Sequence, residues 1–167
     1  KNLINGQLFF GSTELEKLDF HIRTYKGDSL TNLDKFIAVF DNGKPGSGKF
    51  LMKIKHIEVI EGKFSIINEN AKNQKSIDFK NLNGALDNLL VKGPNISANI
   101  KKLSFDDHRG FFVENLVTDF SMTKTSLYLE KLNLKTKESL LVGTVKMDYK
   151  QGDLKYFVNK VNLNIAI

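Results

Sequence analysis

Seven short stretches of the chain share one spacing, in which two apolar residues lie three positions apart with two polar residues between them. In a regular strand, residues i and i+3 point to opposite faces, so burying both on one face requires an extra residue between them. A β-bulge supplies that residue and bends the strand. Bulges repeated on neighbouring strands predict a sheet creased along a line, apolar inside and polar outside. The seven doublets are Leu15 with Leu18, Ile54 with Ile57, Phe79 with Leu82, Ile100 with Leu103, Val113 with Leu116, Leu129 with Leu132 and Val158 with Val161.

Strict alternation of apolar and polar residues surrounds these doublets, as in Ile96, Ala98 and Ile100. Such alternation is typical of half-buried strands with one wet face, as in antiparallel sheets. Turn-forming residues separate the runs at 61–62, 68–70, 93–94, 106–110, 136–138 and 151–153. We therefore expect an all-β fold, a curved and bulged antiparallel sheet built as a meander, with residues 1–167 forming one structural unit.

One stretch breaks the strand pattern. Leu30, Leu33, Phe36, Ile37 and Phe40 recur at helical spacing, behind capping residues at 28–29 and before an Asn-Gly pair at 42–43. This predicts a short amphipathic helix over 29–42 that seals one end of the hydrophobic layer. The glycine-rich segment 43–49 has the glycine and lysine spacing of a P-loop, but no Ser or Thr follows its last lysine. We interpret it as a flexible linker.

Composition excludes several classes of function. The net charge of +6 comes almost entirely from dispersed lysines, which do not form the dense basic patch of a nucleic-acid groove. The chain has no cysteine and no apolar run of the ~18 residues that a membrane-spanning helix needs. It opens on Lys1 without a methionine and stops at Ile167 in mid-alternation. We therefore expect a segment of a larger protein, with any export signal or membrane anchor outside it.

No arrangement of residues nominates a catalytic or metal centre. His21, His56 and His108 lie far apart in the sequence, and the acidic residues at 106–107 followed by Arg109 and Gly110 are typical of a turn. The chain contains no G-x-S-x-G motif for a nucleophilic serine. We predict that the protein is not an enzyme and holds no cofactor or metal.

The creased sheet leaves two architectures open. In one, the apolar face lines an open trough; in the other, each doublet marks a corner in a closed β-sandwich or barrel whose interior fills with side chains. For the trough we place fourteen apolar residues on the inner face. They are Phe20, Ile22, Ile54, Ile57, Phe79, Leu82, Ile100, Leu103, Phe105, Leu116, Phe120, Leu129, Leu132 and Leu134.

From about residue 27 onward the chain resembles the amino-terminal part of the TamB proteins, the translocation and assembly module members of the AsmA-like superfamily. The similar stretches are GDSLTNLD at 27–34, IEVIEGKF at 57–64, KNLNG at 80–84, KGP at 92–94, LSF at 103–105, VENL at 113–116, DFS at 119–121 and LEKLNLKT at 129–136.

The resemblance implies a β-taco, a sheet folded into a hydrophobic groove that spans the periplasm. It implies transport of phospholipid between the inner and outer membranes and support of outer-membrane protein assembly. The implied partners are phospholipid acyl chains, the inner membrane and an outer-membrane barrel partner. The anchor and the carboxy-terminal domain that would meet the last two are absent from this sequence. The alternative is a secreted or surface β-sandwich that binds polysaccharide or protein.

Overall fold

A single sheet contains every strand that the computed structural model describes. The model describes residues 7–39, 50–93, 95–123, 125–148 and 162–166. The strand order is β1-β3-β4-β5-β6-β7-β8-β9, and β2 also pairs with β3. The strands are β1 (Gln7–Glu16), β2 (Asp19–Thr24), β3 (Leu51–Asn68), β4 (Lys75–Lys92), β5 (Asn95–Asp107), β6 (Phe112–Met122), β7 (Ser126–Thr136), β8 (Leu140–Asp148) and β9 (Asn162–Ala166), and the helix is α1 (Asn32–Val39). The predicted all-β fold with one short helix is confirmed.

The pairing is antiparallel from β3 to β9, whereas β1 and β2 both pair with β3 in parallel. Together they form one interrupted edge strand, β1 beside the first half of β3 and β2 beside the second half. Parallel neighbours need a crossover connection, usually through a helix. The connection that contains α1 therefore replaces the hairpin that a simple meander would have at this edge.

The helix α1 begins at Asn32, three residues after the predicted start at Ser29. Its cap is Thr31, whose hydroxyl oxygen accepts a hydrogen bond from the Asp34 backbone N–H at 3.0 Å, while the Asp34 carboxylate accepts one from the Thr31 backbone N–H at 3.0 Å. This reciprocal capping box fixes the helix start more specifically than the predicted cap at 28–29. The predicted helix end, the linker at 43–49 and the turn at 151–153 lie outside the described residues.

Bulges or register shifts occur at most of the described doublets, as predicted. The third residue is left-handed in the doublets at 15–18, 79–82 and 129–132, with φ of 54° at Lys17, 50° at Asn81 and 51° at Lys131. In β3, Glu61 has φ 52°. The doublets at 100–103 and 113–116 carry shifts of register instead. We call this set of irregular positions, from β1 to β7, the crease.

Two expectations about individual strands are wrong. Residues 61–62 do not form a turn but a bulge inside the 18-residue strand β3. The doublet at 54–57 lies in a β3–β4 register that does not shift, because Ile54 pairs with Leu89 and Ile57 with Leu86. The left-handed residue at that level is Asn88 in β4, with φ 54°. The doublet at 158–161 lies outside the described residues.

The strand β3 bends back strongly. An extended chain from Phe50 to Ile67 would span about 55 Å. The Phe36 ring packs edge-on against Phe50 with centroids 5.5 Å apart, and Asn32, one helical turn earlier, accepts a hydrogen bond from the Arg23 backbone N–H at 2.8 Å. Arg23 pairs with Ile67. Both ends of β3 contact the same turn of α1, so this path places them no more than roughly 35 Å apart. Because this distance is shorter than the extended length of the strand, the predicted curvature of the sheet is confirmed.

Neighbouring strands approach closely beside the crease. At Gly84 in β4, an added Cβ would overlap the carbonyl oxygen of Lys102 and lie 2.9 Å from the Leu103 Cα. Both atoms belong to the backbone of β5, so they cannot move aside as a flexible side chain would. The glycine is therefore required by space between the two strands.

Candidate functional site

A cluster of apolar side chains lies on one face of the sheet and gathers residues from both sides of the crease. Its centre is a cluster of five residues that are at most 9% exposed: Ile57, Val59, Leu82, Phe105 and Val113. Partly buried apolar residues pack around this centre. They are Leu15, Ile54, Phe64, Phe79, Leu86, Leu89, Leu103, Leu116 and Leu134. We call these fourteen residues the apolar cluster.

A row of phenylalanines crosses four neighbouring strands within this face. Phe20 of β2, Phe64 of β3 and Phe79 of β4 are directly opposite one another in the ladder. Ring centroids are 6.0 Å apart for Phe20 and Phe64, 6.1 Å for Phe64 and Phe79, and 4.0 Å for Phe79 and Phe105. Phe105 is 5% exposed and Phe20 is 41% exposed. The row therefore leads from the buried centre to a wet sheet edge.

The structure brings eight of the fourteen predicted lining residues into the apolar cluster. They are Ile54, Ile57, Phe79, Leu82, Leu103, Phe105, Leu116 and Leu134. The other six are Phe20, Ile22, Ile100, Phe120, Leu129 and Leu132. Among these, Phe20 extends the phenylalanine row, Ile22 pairs with Ile66 at the sheet edge, Ile100 is partly buried, and Leu132 is 2% exposed.

Phe120 and Leu129 belong to a second apolar row toward the far strands. Phe120 pairs with Ala98 on one side and with Leu129 on the other, and Leu129 pairs with Val145. Directly opposite residues share a face of the sheet. Ala98 and Val145 are buried at 7% and 5% exposure, while Phe120 and Leu129 are half-buried. Apolar surface therefore continues across β5 to β8.

Six members of the apolar cluster were missed from the sequence: Leu15, Val59, Phe64, Leu86, Leu89 and Val113. A consistent use of the doublet rule would have found Leu15 and Val113, because each is the first member of a doublet. Alternation within β3 and β4 would have found Phe64, Val59 and Leu86. The doublet and alternation patterns were present in the sequence, but the predicted lining did not include every apolar residue that they indicate.

Polar side chains tie the strands together on the outside of the bends. The Asn88 amide donates to the Asn99 side-chain oxygen at 2.9 Å, Asn99 donates to the Asp119 carboxylate at 2.8 Å, and Lys131 donates to Asp119 at 2.8 Å. These bonds join four neighbouring strands, β4 to β7. The Lys131 ammonium, and then the Asn99 amide, lower the pKa of Asp119. The bent backbone is thus held by an ordered polar network at the surface.

A second polar contact links β3 and β4. The His56 Nδ1 lies 2.7 Å from an Asp87 carboxylate oxygen, and its Nε2 lies 3.6 Å from Glu58. The hydrogen bond to Asp87 raises the pKa of His56 above its usual range. Protonated His56 therefore bridges two carboxylates, which stabilises the strand pair at acidic pH.

An open polar depression of about 650 Å³ lies beside the crease and is lined by Lys17, Asp19, Glu61, Lys63, Asn81 and Asn83. Lys63 precedes Phe64 and Asn83 follows Leu82, so alternation places both on the face opposite the apolar cluster. The depression carries cationic, anionic and amide groups together. It contains none of the predicted lining residues.

The residues weighed for catalysis or metal binding do not converge. Within the described ranges, no group of three or more His, Cys, Asp or Glu is arranged to hold a metal ion. Residues 107–110 form the expected turn, in which the Arg109 guanidinium donates to the buried Asp107 carboxylate at 2.7 and 2.8 Å. These bonds lower the pKa of Asp107. The pair is therefore a structural clasp of the turn.

No described helix has the length and hydropathy needed to cross a membrane. Comparison with protein-family models, with curated proteins and with solved structures finds no match for this chain. The similarity to the TamB proteins therefore stays a prediction.

Proposed function

We propose that the apolar face of the curved sheet is a trough that holds phospholipid acyl chains and carries them without a chemical reaction. The observation that supports this most is the phenylalanine row, which runs without interruption from buried Phe105 to half-exposed Phe20 at the sheet edge. An apolar row that continues to an open edge offers contact surface to a chain that lies along it.

The energetics favour such an occupant. Withdrawing an acyl chain from water is favourable by about 0.8 kcal/mol per buried methylene. The five central residues already cover one another, so an acyl chain would pack on the partly exposed members, such as Phe64, Phe79 and Leu103. The lipid head group would remain in water outside the trough. Contact of this kind is independent of head-group chemistry, and it needs no polar binding residues within the trough.

The proposed setting follows from the resemblance to the TamB proteins. We infer that the chain is a segment of an inner-membrane-anchored protein in the periplasm, that it conducts phospholipid between the inner and outer membranes, and that it supports assembly of outer-membrane proteins. In that proposal, the membrane anchor and the carboxy-terminal domain that meets the outer-membrane barrel partner belong to parts of the protein beyond this sequence.

The sheet topology does not favour the sandwich alternative. A β-sandwich requires two sheets packed face to face. All strands in the described part of the chain belong to one sheet, and the strands from β3 to β9 are consecutive neighbours along it. A polysaccharide- or protein-binding role resting on that architecture therefore gains no support from the fold.

The test compares two neighbouring residues on opposite faces of β5. Leu103→Asp puts a carboxylate in the partly buried wall of the apolar cluster, whereas Lys102→Asp changes an exposed position. We expect gently purified wild-type protein and the Lys102 variant to carry phospholipid by mass spectrometry, and the Leu103 variant to carry little. Phe20→Asp, at the half-exposed end of the row, should also reduce bound lipid while leaving the fold intact. Absence of lipid from the wild-type protein would contradict the proposal.

A further inference from the structure

Four turns lie side by side at one end of the long strands, at residues 24–31, 68–75, 107–112 and 136–140. We call this set of turns the rim. The Asn70 side chain joins the first two turns, since its amide donates to the Tyr25 carbonyl at 3.2 Å and its oxygen accepts from the Gly27 N–H at 2.8 Å. The His108 N–H donates to the Asp78 carbonyl, next to the second turn. The third and fourth turns adjoin through the pairing of β6 with β7.

The rim concentrates exposed apolar side chains. Tyr25 is 46% exposed, Leu30 52%, Phe111 47%, Phe112 48% and Leu140 64%. Every turn of the rim except 68–75 contributes at least one of them. In the described turns at the opposite end of the strands, around 93, 123 and 125, no large apolar side chain has comparable exposure. The described part of the rim therefore gathers exposed apolar side chains from three turns at one end of the strands.

Cations accompany the exposed rings of the rim. The Arg23 guanidinium and the Lys35 ammonium lie 5.8 and 6.0 Å from the centre of the Tyr25 ring, and the Arg109 guanidinium lies 5.2 Å from that of Phe111. Three carboxylates at the rim form ion pairs with these same cations. The pairs are Glu69 with Arg23, Asp28 with Lys35 and Asp107 with Arg109.

We propose that the rim docks on the surface of a phospholipid bilayer. Tyr25 suits the boundary between head groups and acyl chains, because its ring is apolar and its hydroxyl is polar. The exposed Phe and Leu side chains of the rim would enter the apolar layer beneath that boundary. The guanidinium and ammonium groups beside the rings would still offer N–H donors to lipid phosphates, while their paired carboxylates leave little net charge at these positions. Docking would bring the end of the sheet to the membrane surface. It does not require the trough to hold lipid, so the two proposals can fail separately.

Tryptophan probes test the docking directly, because the chain has no tryptophan of its own. Phe111→Trp places a probe on the rim, and Phe9→Trp places one at an equally exposed position on β1, away from the rim. We expect vesicles of phosphatidylcholine, alone or mixed with phosphatidylglycerol, to shift the emission of the rim probe to the blue and to leave the β1 probe unchanged. If the emission of both probes shifts equally, or if neither shifts with either vesicle type, the rim does not dock on the bilayer. A protein partner would then be the alternative occupant of the rim.

A second measurement separates insertion from electrostatic attraction. The double replacement of Phe111 and Phe112 by serine should lower the vesicle partition coefficient of the full chain at least about tenfold, because two half-exposed rings no longer enter the bilayer. Circular dichroism would verify that this variant is folded. Its lipid content after purification should match that of the wild type. Binding that survives the double replacement but disappears in high salt would show that charge alone is responsible, and would refute insertion of the rings.

Discussion

Replacing Lys131 by glycine tests the crease against a matched control on the same strand. Lys131 has φ 51°, whereas Lys135 lies in the regular ladder of β7 with β8. Both lysines are exposed, and both pair with a carboxylate of β6, at 2.8 Å from Asp119 and 3.0 Å from Glu114. The two replacements remove the same charge and the same kind of contact. They differ in the backbone conformation at the substituted position.

The expected magnitudes follow from that difference. A residue with a Cβ is less stable in the left-handed conformation by about 1–2 kcal/mol, and glycine avoids this cost. At either position glycine also lowers stability by about 0.5–1 kcal/mol, because it gives the unfolded chain more freedom. Lys135→Gly should therefore lower the free energy of unfolding by about 1 kcal/mol. Lys131→Gly should leave it unchanged or raise it by up to about 1 kcal/mol.

Urea unfolding followed by circular dichroism measures both variants, with stability compared through the midpoints if the slopes agree. In thermal unfolding, 1 kcal/mol corresponds to roughly 2–4 °C for a chain of this size. Lys131→Val should be the least stable of the three, because a β-branched residue is poorly tolerated at positive φ. If Lys131→Gly destabilises the protein as much as Lys135→Gly, β7 is not bent through a left-handed residue and the crease is misplaced there.

Three further changes test the sheet and its ends by the same unfolding measurements. Gly84→Ala should destabilise the protein by about 1–3 kcal/mol through overlap with the neighbouring strand, while Gly11→Ala, with open space around it, should change stability by less than about 0.5 kcal/mol. Hydrogen bonds from Arg109 lower the pKa of Asp107. The contribution of the Asp107 carboxylate to the free energy of unfolding is therefore present above about pH 4 and is lost as the pH falls toward the folded-state pKa. The stability advantage of the wild type over Asp107→Asn should shrink over that interval. Thr31→Ala should cost about 1 kcal/mol through loss of the helix cap, and equal stability would show that α1 does not depend on it.

The crease was predictable because its cause is local. Two apolar residues three positions apart can lie on the same face only if the strand absorbs an extra residue between them. This conclusion needs no information about the partner strand. In the doublets at 15–18, 79–82 and 129–132, the extra residue is the third one, at Lys17, Asn81 and Lys131. The curved all-β sheet and most of its turns followed from the same local signals.

What escaped prediction depends on partners distant in sequence. A Glu-Gly pair is compatible with a tight turn and with a bulge. The chain does not reverse at 61–62 because β4 pairs with β3 on both sides of that point. The parallel edge is also non-local, since α1 carries the chain back beside β3. The left-handed Asn88 lies outside any doublet, at a point where the register of β4 changes toward β5 but not toward β3.

The site was partly predictable for the same reason. Position on the apolar face follows from alternation, which identified Ile57, Leu82 and Phe105 in the buried centre. Exposure does not follow from alternation, because it depends on where the sheet ends. Phe20 and Phe105 look alike in the sequence, yet one lies at the edge strand and the other three strands inside.

The polar positions of the doublets connect the fold with the proposed function. A bulge takes one residue out of alternation, so that both flanking apolar side chains stay on the inner face while the intervening ones turn outward. The third residue of each described doublet is polar, being Lys17, His56, Asn81, Lys102, Asn115 or Lys131. A hydrophobic residue at the third position of a doublet would expose apolar surface on the outer face of the sheet, and two copies of the protein would then associate through that face. The doublet thus confines apolar surface to one face, and a sheet that meets acyl chains on that face needs such confinement to avoid aggregation through the other.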